Sequence, residues 1–284
     1  MKRVLITGAN SYVGTNVEKW LMNEPENFYV ETLDMRDPNW KDFDFSKFDV
    51  VFHVAGIAHV STKKSMKDLY FKVNRDLTIE TAKKAKESGV KQFIFMSSMI
   101  VYNSKETKIT KDTKPNPDNF YGLSKLQAEE GILPLQSESF NVVVLRPPMI
   151  YGVGSKGNFP KLKKLASKTP IFPKIKNKRS MLFIDNLCNA IHHLINNQKS
   201  GIFFPQNKDY SCTSDIVLYF AKTSNHNIWF TKLFNPVIYL IRKRITVINK
   251  LFSDSYYDIS LSNEILEYLP ITLNESIKIV SNHE

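Results

Sequence analysis

Near its start the chain reads Val4-Leu5-Ile6-Thr7-Gly8-Ala9-Asn10-Ser11-Tyr12-Val13-Gly14. The apolar run at residues 2–7 predicts a buried strand, and a helical pattern of apolar residues follows Gly14. A strand, a glycine turn and a helix in this order are typical of the first βα unit of a dinucleotide-binding fold. Gly8 would permit the tight turn, Gly14 would let the helix pack closely on the strand, and the first helical amides would face a pyrophosphate.

A second predicted strand, residues 28–33, leads into an acidic residue. Asp34 lies about twenty residues past Gly14, where a carboxylate can bind the ribose hydroxyls of a dinucleotide. This position favours NAD as the cofactor. Arg36, two residues further on, could instead bind the 2′-phosphate of NADP, so NADP stays open as the alternative.

The rest of the first half alternates in the same way. Strands are predicted at residues 50–56, 92–96 and 142–145, and the strand at 92–96 delivers Ser97 and Ser98 at its carboxyl end, where open α/β sheets bind ligands. The pattern predicts an α/β fold with a doubly wound parallel Rossmann sheet. We assign residues 1–152 to this domain, with 183–204 returning to its sheet, and residues 153–182 and 205–284 to a smaller substrate-binding lobe.

The candidate chemistry lies in the stretch Phe120-Tyr121-Gly122-Leu123-Ser124-Lys125. If a helix begins here, Tyr121 and Lys125 share one face, a turn apart. A free phenol titrates near pH ~10, and a lysine cation close by would lower that pKa and suit the phenol to general acid/base catalysis. The alternative is a surface helix with an incidental tyrosine and a solvated lysine.

Histidines and cysteines are given no catalytic or metal-binding role. His53 lies inside an apolar run, which is more typical of a core residue, and His59 is treated likewise. Cys188 and Cys212 form no CxxC pair, and neither is spaced from a histidine like a metal ligand. We therefore predict no metal site and a reducing compartment. Because the sequence contains neither a signal-peptide core nor an apolar stretch of ~18 residues, we predict a cytoplasmic location.

The net charge of +11 could serve nucleic acid or an anionic membrane surface. Because the lysines are spread along the chain, we favour a solvated basic surface and predict no nucleic-acid partner. The segment from Phe234 to Phe252 is aromatic and aliphatic, with Arg242-Lys243-Arg244 in its middle. A basic amphipathic helix can lie on a membrane. We favour its packing against the smaller lobe and predict no membrane insertion.

Several motifs occur in an order that resembles a known family. They are Thr7-Gly8-x-x-Ser11-x-x-Gly14, His53-Val54-Ala55-Gly56, Asn74, Ser97-Ser98, Tyr121-x-x-x-Lys125 and Arg146-Pro147-Pro148-x-Ile150-Tyr151-Gly152. The chain resembles the extended short-chain dehydrogenase/reductases, in the NAD-dependent epimerase/dehydratase group that acts on nucleotide sugars. The likeness covers most of the chain and weakens after Gln206.

The resemblance implies an active site of Ser98, Tyr121 and Lys125. Ser98 would bind the sugar oxygen at C4, Tyr121 would transfer that oxygen's proton, and Lys125 would hold the nicotinamide ribose. The implied cofactor-binding residues are Gly8, Asn10, Ser11, Tyr12, Val13, Gly14, Asp34, Met35, Arg36, Val54, Ala55, Gly56, Asn74, Tyr121, Lys125 and Pro148. The implied contacts to a UDP-sugar are Ser98, Met99, Ile100, Asn158, Phe172 and Arg179. A homodimer formed through the Tyr121 helix is a further family expectation.

The sequence departs from the family pattern at three points. Ser11 and Asn103 stand where glycines are usual, and the second arginine–aspartate clamp for UDP is missing from the C-terminal part. At Ser11 either the backbone approaches the pyrophosphate less closely or the hydroxyl binds it. The missing clamp leaves the precise nucleotide open.

The resemblance leaves more than one reaction open. Dehydration is excluded, because Met99 and Ile100 stand where dehydratases of the family carry an Asp-Glu pair, and neither can protonate a leaving group. Residues 147–152, 157–159 and 177–180 resemble capsule and O-antigen enzymes that reduce UDP-4-keto-6-deoxy-N-acetylhexosamines. The sequence therefore favours a 4-ketoreductase of surface polysaccharide biosynthesis. A UDP-glucose or UDP-N-acetylglucosamine 4-epimerase is the first alternative, and a non-catalytic nucleotide- or RNA-binding member is the second.

Overall fold

The structure is a computed structural model that describes residues 1–58, 64–242 and 244–282. The strands are β1 (Lys2–Thr7), β2 (Phe28–Leu33), β3 (Val50–His53), β4 (Gln92–Met96), β5 (Lys108–Ile109), β6 (Asn141–Leu145), β7 (Met149–Tyr151), β8 (Ile171–Pro173), β9 (Met181–Phe183), β10 (Gly201–Phe203), β11 (Trp229–Thr231) and β12 (Tyr256–Tyr257). The helices are α1 (Tyr12–Leu21), α2 (Lys67–Tyr70), α3 (Leu77–Glu87), α4 (Phe120–Ile132), α5 (Asn158–Ala166), α6 (Ile184–Asn196), α7 (Thr213–Thr223), α8 (Asn235–Ile241), α9 (Thr246–Phe252) and α10 (Leu273–Asn282).

A six-stranded parallel sheet with the strand order β10-β6-β4-β3-β1-β2 forms the centre of the molecule. Alternate residues of each strand face opposite layers, as the two-residue period of a strand requires. Val4 and Ile6 of β1 pack in the apolar layer that holds α1 and α6, whereas Leu5 packs in the layer under α3 and α4. Helices on both faces of a parallel sheet confirm the predicted doubly wound α/β class.

Because the strands of the central sheet are all parallel, their carboxyl ends lie at one edge. β1 and β3 are neighbours, so the turn after β1 meets the segment after β3, and β4 lies on the other side of β3. Residues 54–56, which the sequence placed in the third strand, leave the sheet after His53 and run along this edge. The candidate residues therefore lie where a doubly wound sheet binds its ligand.

Short paired strands and helices of the C-terminal half build a second part of the molecule. β8 pairs with β11, β7 pairs with β9, and β12 pairs with β5, which lies in the loop before α4. Its apolar side chains continue the core layer of α1 and α6 without interruption. The closing region ends in α10, whose Ser276 hydrogen bonds the Tyr151 hydroxyl over 2.6 Å.

The segment between Phe234 and Phe252 differs from the expectation of one amphipathic helix. It forms two short helices, α8 and α9, with a break between them. Within the part of the chain that the structure describes, no helix has both the length and the apolar character needed to span a membrane.

Candidate active site

The glycine turn after β1 is tied to both neighbouring strands. The Gly8 amide donates to the Leu33 carbonyl over 2.9 Å, and the Ala55 amide donates to the Thr7 carbonyl over 2.9 Å. Gly8 has a φ of +114°, and a Cβ there would lie 2.7 Å from the Ala55 nitrogen. Because only glycine fits this conformation and this space, the turn lies directly against the end of β3.

The start of α1 explains the serine that replaces the usual glycine. The Ser11 hydroxyl caps the helix by accepting a hydrogen bond from the Gly14 amide over 3.1 Å. A Cβ on Gly14 would lie 2.5 Å from that hydroxyl and 3.1 Å from Val54. The hydroxyl is thus engaged as a helix cap, and Gly14 lets α1 pack closely, which leaves the turn of Asn10, Tyr12 and Val13 at the sheet edge.

Asp34 and Arg36, the two residues that bear on cofactor choice, are paired with each other. Their side chains form an ion pair with 2.6 Å between Nη2 and Oδ2, and the Arg36 amide also donates to Asp34 over 3.0 Å. These hydrogen bonds lower the pKa of Asp34 to about 2, so the carboxylate is ionised at neutral pH. Met35 between them turns inward and is buried against the sheet.

Tyr121 and Ser98 lie together because α4 begins against the turn that follows β4. Asn119 caps α4 by accepting from the Gly122 amide over 2.9 Å. A Cβ on Gly122 would collide with the Ile100 carbonyl, so glycine is needed where α4 meets the turn at Met99–Val101. The Ser98 side chain is hydrogen bonded to the Tyr121 phenol.

The electrostatics of Tyr121 differ from the expectation. Burial, and then the neighbouring Tyr70, raise the pKa of Tyr121 to about 12, and the hydrogen bond with Ser98 offsets only part of this rise. Lys125 does not shift the Tyr121 pKa, so the prediction that it lowers this pKa is wrong for this structure. The Lys125 ammonium is instead hydrogen bonded to the Met96 carbonyl at the end of β4.

Lys125 is buried between the ends of β3 and β4. Its Nζ donates to the Met96 carbonyl over 2.9 Å and lies 4.7 Å from the centre of the Phe95 ring. A Cβ on Gly56 would lie 3.2 Å from this Nζ. Burial lowers the pKa of Lys125 to about 8, and Glu129 acts in the opposite direction. The Lys125 ammonium therefore lies at the carboxyl edge of the sheet next to Gly56, and the residue before Gly56 packs against Gly8.

Asn74 joins the segment after β3 to α4. It is fully buried in a π-helical turn, and its side chain accepts from the Ile57 amide over 2.8 Å and donates to the Ile57 carbonyl over 3.1 Å. Its amide also donates to the Ser124 hydroxyl over 3.2 Å. These bonds hold Gly56 and the Tyr121 helix in one arrangement.

His53 is a neutral core residue. Its Nδ1 lies 2.7 Å from the Thr7 hydroxyl, and its Nε2 lies 3.1 Å from the Thr78 hydroxyl. Because Thr78 donates to the Asn74 carbonyl over 2.9 Å, it accepts from His53, which fixes the Nε2–H tautomer. Burial and the nearby Lys125 lower the pKa of His53 to about 3. His59 lies outside the described residues.

Residues of the C-terminal half reach the same edge. The Ser255 hydroxyl donates to the Met99 sulfur over 3.9 Å, and Ser255 bridges to Arg179 through its backbone. The half-buried Arg179 guanidinium donates to the Ser253 carbonyl over 3.2 Å, and burial lowers its pKa. The predicted substrate residues Met99 and Arg179 are therefore near neighbours through Ser255.

Two other substrate predictions have a different outcome. Phe172 is buried within the C-terminal core, with its ring centre 6.0 Å from that of Phe230 and 5.8 Å from that of Phe252. Its assignment as a substrate contact is wrong, because a ring enclosed by other rings stabilises the lobe and faces no ligand. The side chain of Asn158 lies outside what the structure describes. Pro148 is buried beside the turn of Met99, whose amide donates to the Pro147 carbonyl over 2.8 Å.

Sequence reasoning missed a buried ionic network beneath the site. Glu129 of α4 pairs with Arg146 at the end of β6, with 2.5 Å between Nη2 and Oε2. Arg146 also donates to the Tyr102 hydroxyl over 2.8 Å, and Ser97 donates to Glu129. The signal was present in the sequence, since Tyr121, Lys125 and Glu129 are spaced four apart on one helix face.

These side chains form one surface at the carboxyl edge of the sheet, where the Gly8 turn packs directly against Ala55 and Gly56 packs against Asn74 and Lys125. A phenol, a hydroxyl and an ammonium on this surface suit proton transfer at a hydroxyl or ketone beside a dinucleotide. Among the residues described, no group of three His, Cys, Asp or Glu side chains is placed to hold a metal ion.

The chain is similar to known sugar 4-epimerases. A UDP-glucose 4-epimerase of Vibrio cholerae is 31% identical over 98% of this chain and 94% of its own length. An N-acetyl-alpha-D-glucosaminyl-diphospho-ditrans,octacis-undecaprenol 4-epimerase of Escherichia coli O157:H7 is 29% identical over 70% of this chain and 64% of its own. A UDP-glucuronic acid 4-epimerase of Bacillus cereus, solved with NAD, has a TM-score of 0.77 at 19% identity, with 99% of this chain and 96% of that chain covered.

The family model for the NAD dependent epimerase/dehydratase family matches residues 4–204, which contain all of the central sheet except the first two residues of β1, together with the Ser98, Tyr121 and Lys125 cluster. With this match and a relative alignable over nearly the full length, the chain belongs to the NAD dependent epimerase/dehydratase family.

Proposed function

We propose that the protein is an NAD-dependent enzyme that acts at C4 of a sugar carried on a diphosphate, and that it interconverts C4 epimers of a UDP-hexose or UDP-N-acetylhexosamine. The observation that carries this proposal is the contact of Ser98 with a half-buried Tyr121. One helical turn further along α4, Lys125 is buried at the carboxyl edge of the sheet, where the dinucleotide would bind. The Vibrio cholerae relative, alignable over nearly the whole chain, moves the preference from reductase to epimerase.

The cofactor would lie along the edge already described. The amides after Gly8 would bind the pyrophosphate, Asp34 the adenosine ribose, and Lys125 the nicotinamide ribose. When bound, NAD supplies a hydride acceptor at C4 and returns the hydride afterwards. Asp34 is ionised, as hydrogen bonding to the ribose requires. Because Arg36 is paired with Asp34, Arg36 lies near the position that the extra phosphate of NADP would take.

Tyr121 moves the proton in this proposal. As phenolate it takes the proton of the C4 hydroxyl while the hydrogen on C4 leaves as hydride, and as phenol it gives the proton back in the second half-reaction. Between these halves the phenol holds the proton while the keto-sugar turns. Ser98 would hold the C4 oxygen against the phenol, and the same contact favours the phenolate when the first half begins.

The sugar diphosphate would lie toward the C-terminal half. Arg179 is a half-buried guanidinium with no carboxylate in ion-pair contact among the described residues, and it adjoins the turn of Met99 and Ile100 through Ser255. A guanidinium in this state suits a diphosphate. Asn158 stays a proposed contact to the nucleotide.

Two further candidate functions each have a specific supporting observation. A 4-ketoreductase would use the same groups for one half-reaction, and the likeness of residues 147–152 and 177–180 to capsule and O-antigen enzymes supports it. A polyprenyl-diphosphate sugar is a second candidate substrate, since the Escherichia coli relative is named for one.

One assay separates these candidates. Purified protein is incubated with UDP-N-acetylglucosamine or UDP-glucose without added cofactor, and the products are identified by NMR. We expect the C4 epimer to form at constant total nicotinamide. Failure of this conversion, together with stoichiometric NADH or NADPH consumption on UDP-4-keto-6-deoxy-N-acetylglucosamine, would overturn the epimerase and establish the reductase.

A further inference from the structure

The C-terminal half presents a group of large apolar side chains to solvent. We call it the apolar face and define it by Trp229, Leu233, Val237, Leu240 and Val247, which are 65%, 75%, 58%, 73% and 66% exposed. These residues come from β11, from α8 and α9, and from the turns beside them. Single exposed apolar residues are ordinary, but five of them between residues 229 and 247, on β11, on the contacting helices α8 and α9 and in the turns beside them, mark a stretch that binds something.

The apolar face is not a core surface that the fold has left half covered. α8 and α9 already have their inward residues, since Ile238 is buried in the main core and Phe252 packs its ring 5.8 Å from that of Phe172. Val237 and Leu240 are three apart on α8, which places them on a common face away from the lobe. The helices therefore carry a second apolar side that the described chain does not cover.

Charge identifies the kind of surface that would cover it. Lys232, Arg244 and Lys250 are exposed and lie in or next to the same stretch of chain, and Arg242 stacks its guanidinium 4.9 Å from the centre of the Tyr239 ring. The sequence contains no Asp or Glu between Asp215 and Asp254. A second copy of this chain bound face to face would oppose the same uncompensated cations, whereas an anionic lipid surface would neutralise them.

We propose that the apolar face docks the protein on an anionic bilayer as a peripheral protein. The apolar side chains would enter the boundary between headgroups and acyl chains, and the arginines and lysines around them would bind lipid phosphates. Apolar burial and basic residues together are the two signals that reversible interfacial binding needs. The proposal revises the expectation that this segment packs against the smaller lobe, because only its inward side does so.

Docking would place the candidate site beside the membrane. The end of α9 holds the diphosphate region directly, since the Leu251 carbonyl accepts from Asn177 over 3.1 Å and the Ser253 carbonyl accepts from Arg179 over 3.2 Å. A membrane surface bound at α9 would therefore lie a few residues from the proposed diphosphate site. This arrangement would serve a lipid-carried sugar, the second candidate substrate, although the docking itself rests on no step of the proposed function.

The test is co-sedimentation of the full chain with vesicles. Vesicles of phosphatidylcholine containing about one-third phosphatidylglycerol are compared with pure phosphatidylcholine, at low and raised ionic strength. We expect binding to the anionic vesicles only, weakened by salt. The double variant Leu233→Gln/Leu240→Gln should reduce the partition coefficient about tenfold. Arg242→Gln/Arg244→Gln should reduce it about twentyfold.

Matched controls change exposed residues elsewhere. Met22→Gln removes an exposed apolar side chain that directly follows α1, and Lys83→Gln/Lys91→Gln removes two exposed cations from α3 and from the turn before β4. Both controls should bind vesicles like the unmodified chain.

Absence of vesicle binding, or equal loss in the controls and the variants, would overturn the proposal. So would size-exclusion data in which the leucine pair dissolves a dimer while vesicle binding stays unchanged. Because sedimentation measures binding and not turnover, a failed epimerase assay leaves this result unaffected.

Discussion

Replacing Glu129 by glutamine tests whether the buried network beneath the site holds the catalytic helix. Glu129 and Arg146 are 1% and 7% exposed, and their contacts include two further bonds from Nε at 3.1 and 3.2 Å. Glutamine keeps the shape but leaves the guanidinium as an uncompensated buried charge. Loss of one partner of a buried ion pair costs about 3–5 kcal/mol. For a chain of this size that loss lowers the Tm by about 10 °C.

The same variant changes the charge of Lys125. Glu129 raises the pKa of Lys125 against the effect of burial, so removal of its charge lowers that pKa below its present value of about 8. The lysine then loses its proton at lower pH, and the alkaline fall of kcat/KM should move to lower pH as well. A merely structural role would lower the Tm without moving this limb.

Thermal unfolding followed by circular dichroism and a pH profile of kcat/KM measure the two effects. The control is Glu130→Gln, which changes an exposed carboxylate on the next residue of the same helix and should shift stability by less than about 0.5 kcal/mol. A Tm for Glu129→Gln that matches the control, or an unmoved alkaline limb, would refute this account of the network.

Two further variants probe cofactor choice and helix placement. Asp34→Ala should weaken NAD more than NADP in a fluorescence titration, because it removes the ribose acceptor and frees Arg36 for a 2′-phosphate; equal weakening would contradict the proposed ribose contact. Gly122→Ala should cost about 1–3 kcal/mol in chemical denaturation and lower kcat, because its Cβ meets the Ile100 carbonyl. Leu123→Ala, at an exposed position of the same helix, should leave both quantities near those of the unmodified chain.

The sequence was informative wherever the deciding contacts are local. The strand, glycine turn and helix at residues 2–21 follow from apolar spacing and from the need for glycine at Gly8 and Gly14, and all of these occur in the structure. The face shared by Tyr121 and Lys125 is likewise a property of one helix.

What the sequence could not supply depends on distant partners. Lys125 bonds a carbonyl of β4, so its effect on Tyr121 could not be read from their spacing. The sequence predicts Phe172 as a substrate contact, whereas in the structure the ring of Phe252, eighty residues later, packs against it. The segment around Leu240 has an amphipathic pattern, but only the tertiary structure separates the side that packs from the side that stays exposed.

Turnover by Tyr121→Phe is the most direct test of the central proposal that this phenol carries the C4 proton. The substitution removes one hydroxyl and keeps the ring packed at 5.7 Å from that of Tyr70, so folding and NAD affinity should stay close to those of the unmodified protein. We predict a loss of kcat of at least about a hundredfold at saturating UDP-sugar, which corresponds to the loss of a general acid/base. Tyr70→Phe is the matched control and should keep most of the activity. Unchanged kcat in Tyr121→Phe, with NAD bound as before, would contradict the account.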